Sequence, residues 1–490
     1  MSKPSVMKKN HYLVIDIGTG NVRVALTDSS GDVLRVATDT VRYENDLLYD
    51  DAIFFDPDIL WEQIAGLCRE IMAVSGPIPV TAVTTSSQRE GIVLLDTDGN
   101  AIAGMPNIDH RGREFQDMLQ DKDRVYSLTG RYPTSLFSAF KVVGFTRKHP
   151  VGGSRIAYML SISDWALFRL CGIMRYEHSQ ASETLLYDVA GRCWSEELCA
   201  GFDISPAILP ELVHSGEVLG EVLPEAAQSL GLPPGVQAVA GGADTQLAVM
   251  STGPDADDVV IVSGTTTPVV KISSRYLTDS ARRTWTNSHT LPEFFILETN
   301  AGVTGLNLQR YKAIFYPNEP YDVMEAEILS VAESGGPQCW AALGSLIAGE
   351  ASPLLRGGFI FPAPIHHELS RGHFAFALVW DLACSIYENY SALCEVSQHN
   401  ETYIWGCGGG MQSFVLRQFL ANLTGKELRI RDNYRQATVS GGAVVCNKAL
   451  GLPEETAAGI TGTHPQLSWD TAEWYSRWKE NRNNLKKKSQ

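Results

Sequence analysis

Two segments of the chain share one hydrophobic pattern. In each, an apolar run is followed by a short turn rich in glycine and threonine and then by a second apolar run. The first segment covers residues 12–27, with its turn at 18–21, and the second covers residues 259–272, with its turn at 264–267. Apolar runs of this length around a tight turn predict β-hairpins. Because one hairpin stands near the start of each half, we predict two related domains with a boundary near residue 250.

Helical patterns alternate with these strands and indicate an α/β fold. The clearest helix begins after Asp56, a residue type that caps helices, and has Pro57 in its first turn. A chain of 490 residues is too long for one ordinary core, which also favours two domains. The predicted helices cover 57–73, 156–170, 377–394 and 412–423. The predicted domains cover 1–250 and 251–475, and 476–490 is predicted to be a polar, basic tail.

Composition and charge restrict the class of protein. The formal net charge is -16, and a surface of this sign repels phosphate backbones, so nucleic acid is not expected as a partner. No run of about 18 apolar residues occurs, so no membrane span is expected. The nine cysteines lack the paired spacing of a zinc site, and no signal-peptide pattern follows residues 1–10, which together predict a cytoplasmic location. A homodimer is compatible with the sequence, which does not decide it.

Common nucleotide-binding motifs are absent from the sequence. In the dinucleotide-binding pattern G-x-G-x-x-G, a third glycine would have to replace Arg23, and a strand rather than a helix follows the turn. The P-loop pattern is missing as well, because the one Gly-Lys pair, at 425–426, is followed by Glu427. Neither a dinucleotide fold nor a P-loop enzyme is therefore expected.

The first hairpin has the residue types of a phosphate site. Asp16 ends an apolar strand, where a carboxylate is costly unless it meets water, a cation or hydrogen-bond donors. Gly18 and Gly20 allow a phosphate to approach the backbone, Thr19 offers a hydroxyl, and the guanidinium of Arg23 suits a phosphoryl group. An ordinary hairpin turn with a surface arginine explains the same residues, and the segment alone does not separate the two interpretations.

Five segments in order resemble the FGGY family of carbohydrate kinases, members of the actin and hexokinase superfamily. This resemblance implies two actin-like (ribonuclease H-like) α/β domains with a catalytic cleft between them. It also implies ATP and Mg²⁺ as cofactors and a small sugar or polyol as substrate. The segments are Asp16-Ile17-Gly18-Thr19 with Arg23, Ser87-Gln88-Arg89-Glu90-Gly91, Gly241-Gly242-Ala243-Asp244, Ser263-Gly264-Thr265-Thr266 and Gly408-Gly409-Gly410.

The resemblance assigns a role to each matching position. Asp244 corresponds to the general base, although a carboxylate there also suits a helix cap. Asp16 corresponds to the carboxylate that orients Mg²⁺, through water. The implied phosphate and ATP contacts are Gly18, Thr19, Gly20, Arg23, Gly264, Thr265, Thr266, Gly409, Gly410 and Ser413. The implied substrate contacts are Gln88, Arg89, Glu90, Asp109 and Gln246.

The substrate is less defined than the reaction. Residues 87–94 are most similar to the autoinducer-2 kinases, and a pentulose or another polyol is the alternative acceptor. A different class of function is a sensor that binds nucleotide and sugar with little turnover. The alternative for Arg89 and Glu90 is a structural ion pair at a strand end, and a structural role is likewise the alternative for Asp109. The second family signature is degraded at 371–376, and Gln436 replaces a glutamate that is usual in relatives, which leaves the nucleotide fit open.

Overall fold

The computed structural model describes residues 10–46, 49–76, 78–350, 353–453 and 459–489, with only the backbone for 487–489. Residues 1–9, on which part of the predicted location rests, lie outside this range. Within it, no helix is both long and apolar enough to cross a membrane.

The first half of the chain is built on one mixed sheet of six strands. Their order is β14-β15-β6-β1-β2-β3, and the three central strands β15, β6 and β1 run parallel. The strands of this half are β1 (His11–Ile17), β2 (Asn21–Asp28), β3 (Val33–Thr40), β4 (Glu44–Asn45), β5 (Ile53–Phe54), β6 (Val80–Ser87), β7 (Ile92–Leu95), β8 (Ala101–Met105), β9 (Tyr158–Ser161), β10 (Tyr176–Glu177), β11 (Tyr187–Asp188), β12 (Cys193–Trp194), β13 (Leu212–Val213), β14 (Val218–Glu221) and β15 (Gln237–Ala243). The helices are α1 (Pro57–Ser75), α2 (Lys122–Thr129), α3 (Ser138–Lys148), α4 (Pro150–Gly153), α5 (Ile162–Cys171), α6 (His178–Ala181), α7 (Glu196–Gly201), α8 (Pro224–Leu230) and α9 (Asp244–Met250).

The second half repeats this plan with a sheet of seven strands. Their order is β18-β19-β17-β16-β22-β23-β24, and β16, β22 and β23 run parallel. The strands are β16 (Val259–Val262), β17 (Thr266–Ser273), β18 (Trp285–Ser288), β19 (Phe295–Val303), β20 (Trp340–Ala342), β21 (Gly358–Ile360), β22 (Tyr403–Cys407), β23 (Glu427–Arg431) and β24 (Ile460–Thr463). The helices are α10 (Gly305–Phe315), α11 (Tyr321–Glu333), α12 (Arg371–Val396), α13 (Phe414–Thr424), α14 (Ala437–Ala449) and α15 (Thr471–Ser489).

The two sheets have the same central topology. In each, a hairpin (β1–β2 or β16–β17) extends into an antiparallel third strand, and two parallel strands lie on the other side of its first strand. The predicted hairpins and the α/β class are therefore confirmed. Since the parallel strands of each sheet end at one edge, each half presents its hairpin turn beside the ends of its parallel strands.

Helices α9 and α14 join the two halves. Leu247 of α9 packs with Tyr12 of the first sheet and with Ala443 of α14, and the next residues of α9, Ala248 and Val249, pack on the second sheet. Two helices that are apolar on more than one face are thus buried between the sheets. The catalytic candidate at position 244 stands at the start of one of them.

Most of the predicted helices are confirmed, with one correction. Asp56 caps α1 by accepting hydrogen bonds from the amides of residues 58 and 59, and Gly425 ends α13 in the left-handed conformation. The helix predicted over 156–170 is wrong at its start, because residues 158–161 form strand β9, which pairs with β7. The helix itself begins at Ile162, after the cap Ser161.

Residues 476–486 do not form the predicted free tail. They belong to α15, where the indole of Trp478 is 1% exposed and donates to Asp381 Oδ1 at 2.8 Å. Arg482, also buried, pairs with Glu350 at 2.9 Å. The segment is rich in basic side chains, but one face of its helix is apolar and hydrogen-bonded and packs on the second half.

Candidate active site

The predicted phosphate hairpin and the predicted base lie at one edge of the first sheet. Ser87, the last residue of β6, is paired on one side with Ile17 of β1 and on the other with Ala243 of β15. Because neighbouring strands are about 4.8 Å apart, the ends of β1 and β15 are separated by roughly 10 Å. Asp16 and Asp244 therefore stand on either side of the end of β6, close enough for the charge of Asp16 to act on Asp244.

Asp16 is buried and holds Arg23 across the hairpin. Its Oδ2 accepts a hydrogen bond from Arg23 Nε at 3.1 Å and a second, shorter one from Nη2. The charge of Asp16 raises the pKa of Arg23, and Asp244 adds to this effect. The other oxygen, Oδ1, is buried and has no hydrogen-bond partner among the described residues. Asp16 therefore fixes the guanidinium while keeping one oxygen available to a ligand.

Asp244 is the first residue of α9 and is partly exposed at the sheet edge. Its Oδ1 accepts from the amide of the next residue, Thr245, at 2.6 Å and from the Thr245 hydroxyl at 3.2 Å. These contacts satisfy one amide of the first turn of α9 and involve Oδ1 alone, so both the base and the cap interpretations are compatible with them. Burial raises the pKa of Asp244 to about 6, Arg89 acts in the opposite direction, and Asp16 raises it further. The carboxylate of Asp244 is therefore mostly ionised at neutral pH and lies close to the charges of Arg89 and Asp16.

Gln246 lies two residues farther along α9. Its side chain is fully buried, yet neither Oε1 nor Nε2 has a hydrogen-bond partner among the described residues. An unpaired buried polar group costs about 1–3 kcal/mol. A hydroxyl-bearing ligand beside Asp244 would relieve that cost, which is the property expected of a substrate contact.

Arg89 forms an ion pair between the two halves of the chain. Its Nη1 donates to Glu298 Oε2 at 2.5 Å and its Nη2 donates to Oε1 at 2.9 Å, while Glu183 lies 3.7 Å away. The suggested ion pair between Arg89 and Glu90 is wrong, because Glu298 of β19 occupies the guanidinium. Sequence reasoning missed Glu183 and Glu298, since no motif or local spacing links them to residue 89.

Glu90 follows Arg89 in the left-handed conformation, with φ 61°. Its side chain is buried, and burial raises its pKa against the opposing charges of Arg89, Arg131 and Lys141. Arg131 pairs in turn with the buried Glu183. These five side chains thus form a buried cluster of opposite charges.

Gln88 and Thr19 connect the hairpin to the start of the substrate segment. Gln88 Oε1 accepts from the amide of Asn107 at 3.0 Å, and Thr19 Oγ1 donates to Asn107 Oδ1 at 3.1 Å. The hydroxyl of Tyr43 donates to the carbonyl of Thr19 at 2.6 Å and accepts from Gln88 Nε2 at 3.2 Å. The two predicted contacts therefore brace the turn, with Tyr43 and Asn107 as members that the sequence did not reveal.

Asp109 is already occupied by protein groups. Its side chain is fully buried, and its two oxygens accept from Arg111 Nε at 3.0 and 2.9 Å and from the amide of Ile53 at 2.9 Å. These contacts favour the structural role that the sequence left open. Asp109 orders the loop around residues 107–111 rather than offering a free carboxylate to a substrate.

The second sheet presents the predicted nucleotide residues at its own edge. The turn after β16 is closed by a bond from the Gly264 amide to the Thr266 carbonyl at 2.9 Å, and residues 264–266 are exposed. The turn after β22 meets it, because the amide of Gly410 donates to the carbonyl of Ser263 at 2.9 Å. Gly409 is exposed, and a Cβ added there would meet no atom within 4 Å. Gly264, Thr265, Thr266, Gly409 and Gly410 therefore form one open surface.

Ser413 and Gln436 lie behind this surface and have protein partners. Ser413 caps α13 through the amide of Leu416 and donates a short hydrogen bond to Glu325, so its hydroxyl is not free for adenosine. Gln436 Oε1 accepts from Arg23 Nη1 at 3.3 Å. The residue that replaces the usual glutamate thus reaches the phosphate hairpin of the other domain. In the degraded signature, Arg371 begins α12 and pairs with two glutamates, a structural role.

Comparisons with known proteins agree with this architecture. Residues 11–251 match the N-terminal domain of the FGGY family of carbohydrate kinases, and residues 259–450 match its C-terminal domain. YoaC of Bacillus subtilis (strain 168), which carries the name of a sugar kinase, is 45% identical over 96% of this chain and 97% of its own length. The autoinducer-2 kinase of Enterobacter sp. (strain 638) is 25% identical over 92% of this chain and 88% of its own.

A solved structure shows the same fold. The xylulose kinase of Brucella ovis superposes with a TM-score of 0.85 at 19% identity, covering 97% of this chain and 99% of that one. The predicted pair of actin-like α/β domains with a cleft between them is confirmed. The chain belongs to the FGGY family of carbohydrate kinases and is a phosphotransferase that acts on a sugar-like substrate.

Proposed function

We propose that this kinase transfers the terminal phosphoryl group of Mg-ATP to a hydroxyl of a small polyhydroxy ketone, with Asp244 as general base. The precursor of autoinducer-2 is the first candidate acceptor, and a pentulose such as xylulose is the alternative. The proposal is supported above all by the placement of Asp244 and the Asp16–Arg23 hairpin on either side of the end of β6.

The residues present fit a magnesium nucleotide. Asp16 keeps one buried oxygen that no described residue contacts by a hydrogen bond, which suits a water molecule of hydrated Mg²⁺. A Cβ added at Gly20 or at Gly409, one on each domain, would meet no described atom within 4 Å, which supports room for a phosphate chain close to the backbone. When bound, Mg-ATP supplies the phosphoryl group and a cation that offsets its charge.

The chain's own groups would align and charge-balance the reaction. Phosphoryl transfer has a loose transition state, so positioning and electrostatics carry most of the catalysis. Asp244, with a pKa of about 6, is mainly ionised at pH 7 and accepts the proton of the attacking hydroxyl. Arg23, held by Asp16, presents a fixed cation to the transferred group. Gln246 donates to and accepts from neighbouring hydroxyls of the acceptor.

A coupled assay of ADP release with a panel of ketoses and polyols tests the proposal. We expect ADP release that depends on the acceptor, and we expect Asp244→Asn to lower kcat by about 10²–10⁴-fold. ATP affinity, measured by calorimetry, should change little, because the base does not bind the nucleotide. The control Asp58→Asn alters an exposed carboxylate on α1 and should keep full activity.

Two results would contradict the proposal. Near-normal turnover by Asp244→Asn removes this residue from the mechanism. Ligand-induced thermal stabilisation without ADP release from any acceptor in the panel would favour the sensor instead. Comparing kcat/KM for xylulose and for the autoinducer-2 precursor separates the two candidate acceptors.

A further inference from the structure

Strand β15 contains a bulge just before its end, where Asp244 begins α9. Val239 pairs with Thr84 of β6, and the next paired residue, Gly242, faces Ser86, so β15 advances three residues where β6 advances two. A Cβ added at Gly241 would lie 1.8 Å from the carbonyl oxygen of Thr85, so only glycine fits where the strands cross. A bulge of this kind removes ladder hydrogen bonds and re-aims the residues that follow.

Two buried serines replace the missing ladder bonds. The carbonyl of Gly241 accepts a short hydrogen bond from the hydroxyl of Ser215, and the amide of Ala243 donates to Ser179 Oγ at 3.0 Å. Ser179 lies on α6 and Ser215 lies in the turn before β14, so the two serines approach the bulge from different elements. The backbone on both sides of Gly242 is thereby fixed.

Both serines meet one carboxyl group. Oε2 of Glu177 accepts a short hydrogen bond from the Ser179 hydroxyl and another from the Ser179 amide at 2.8 Å. Oε1 of Glu177 lies 3.2 Å from the hydroxyl oxygen of Ser215. The side chain is 1% exposed, and no described residue forms an ion pair with it. A buried carboxylate without a cation is costly, which favours its protonated form.

The number of hydroxyl protons available also favours a protonated Glu177. A serine hydroxyl has one proton, and that of Ser215 is used on the carbonyl of Gly241. With that proton given to Gly241, Ser215 Oγ is free to accept from Glu177, and a protonated Oε1 satisfies both contacts of the serine. Burial raises the pKa of Glu177 to about 8, and the nearby Asp164 adds to this effect, in agreement with the count.

We infer that Glu177, as a neutral carboxylic acid, is a positioning residue for Asp244, acting through Ser179 and Ser215. The inference rests on the proposed role of Asp244 as the base. One acid group holds both ends of the bulge, since it accepts from Ser179 and donates to Ser215. Loss of its proton would turn the Ser215 hydroxyl toward the carboxylate and release the carbonyl of Gly241, which loosens the segment that aims the base.

Among the described residues, Asp164 and Tyr187 interact with the charge of Glu177. Asp164, on α5, accepts from the Glu177 amide at 3.2 Å, and burial raises its pKa to about 7. Tyr187, on β11, is close enough for the charge of Glu177 to raise its pKa. Asp164 titrates in a neighbouring pH range and its charge raises the pKa of Glu177, so Asp164→Asn should move any effect of Glu177 titration to lower pH.

Glu177→Gln and Glu177→Ala distinguish positioning from simple packing. The glutamine reproduces the acid, because its oxygen accepts from Ser179 and its amide donates to Ser215. With the acceptor that supports the highest turnover in the panel, we expect Glu177→Ala to lower kcat by about 10–100-fold with little change in ATP affinity. We expect the native enzyme to lose activity above pH 8 and Asp164→Asn to lose it at lower pH. Glu177→Gln should keep most of the activity and show no such decline.

Deuterium uptake of the peptide 237–246, measured without substrates, gives a reading that does not depend on turnover. We expect faster exchange in Glu177→Ala and in Ser215→Ala, and native exchange in Glu177→Gln. An unchanged pH profile in Glu177→Gln, or native kcat and exchange in Ser215→Ala, would overturn the inference even if Glu177→Ala failed to fold. Activity of Asp244→Asn would instead refute the proposed base and leave the exchange result standing.

Discussion

The ion pair between Arg89 and Glu298 should stabilise the folded protein, and its arginine should also lower the pKa of the proposed base, Asp244. It is bidentate, and its side chains are 9% and 0% exposed. Replacing Arg89 by methionine keeps much of the volume but leaves Glu298 buried without its cation, whereas Glu183 keeps its pair with Arg131. Removing one partner of a buried pair costs about 3–5 kcal/mol, because the remaining charge is uncompensated. We expect Arg89→Met to lose this much free energy of unfolding.

Urea unfolding followed by tryptophan fluorescence measures the loss. The control is Arg124→Met, which breaks a bidentate pair of similar geometry, with both contacts at 2.8 Å, whose side chains are 51% and 53% exposed. Exposed pairs contribute up to about 1 kcal/mol, so the control should change little. Adding Glu298→Gln to Arg89→Met should recover part of the loss, since the orphaned charge is then removed.

The same variant has a catalytic signature. Arg89 lowers the pKa of Asp244, so its removal should move the acidic limb of kcat/KM to higher pH, whereas Arg124→Met should leave the limb in place. A loss of stability no larger than that of the control, together with an unmoved acidic limb, would refute the reasoning that this pair is buried and coupled to the base.

Three further predictions concern the base, the nucleotide surface and the last helix. Because Asp244 must be ionised to accept a proton and its pKa is raised to about 6, kcat/KM should rise with pH through that value, and a flat profile from pH 5 to 7 would argue against this role. Gly410→Ala places a Cβ 2.1 Å from Ser263 Oγ. This clash should lower the free energy of unfolding by about 1–3 kcal/mol, measured by thermal unfolding, and should also weaken ATP binding. Gly409→Ala meets no atom within 4 Å and should weaken ATP binding without loss of stability, so equal melting temperatures for the two variants would contradict the packing argument. Trp478→Ala should destabilise the protein by about 3–5 kcal/mol in urea unfolding, and a native midpoint would show that α15 is not docked.

The sequence by itself determined the elements whose signals are local. The hairpins at 11–28 and 259–273 follow from apolar runs around glycine turns, and the start of α1 follows from its cap and proline. The order of short motifs indicated the family, because glycines, hydroxyls and carboxylates at fixed spacing have few other uses. These features depend on residues that are neighbours along the chain.

Tertiary structure decided the partners of the charged residues. Arg89 and Glu298 are 209 positions apart, and the carboxylate of Asp109 accepts from the amide of Ile53, 56 positions away, which no spacing rule predicts. Residues 158–161 became a strand because β7 pairs with them, whereas a short apolar run suits a helix equally well. The C-terminal segment docks because Trp478 finds a buried acceptor. In each case the free energy comes from a contact between distant segments, and a local pattern carries no information about which distant segment will be there.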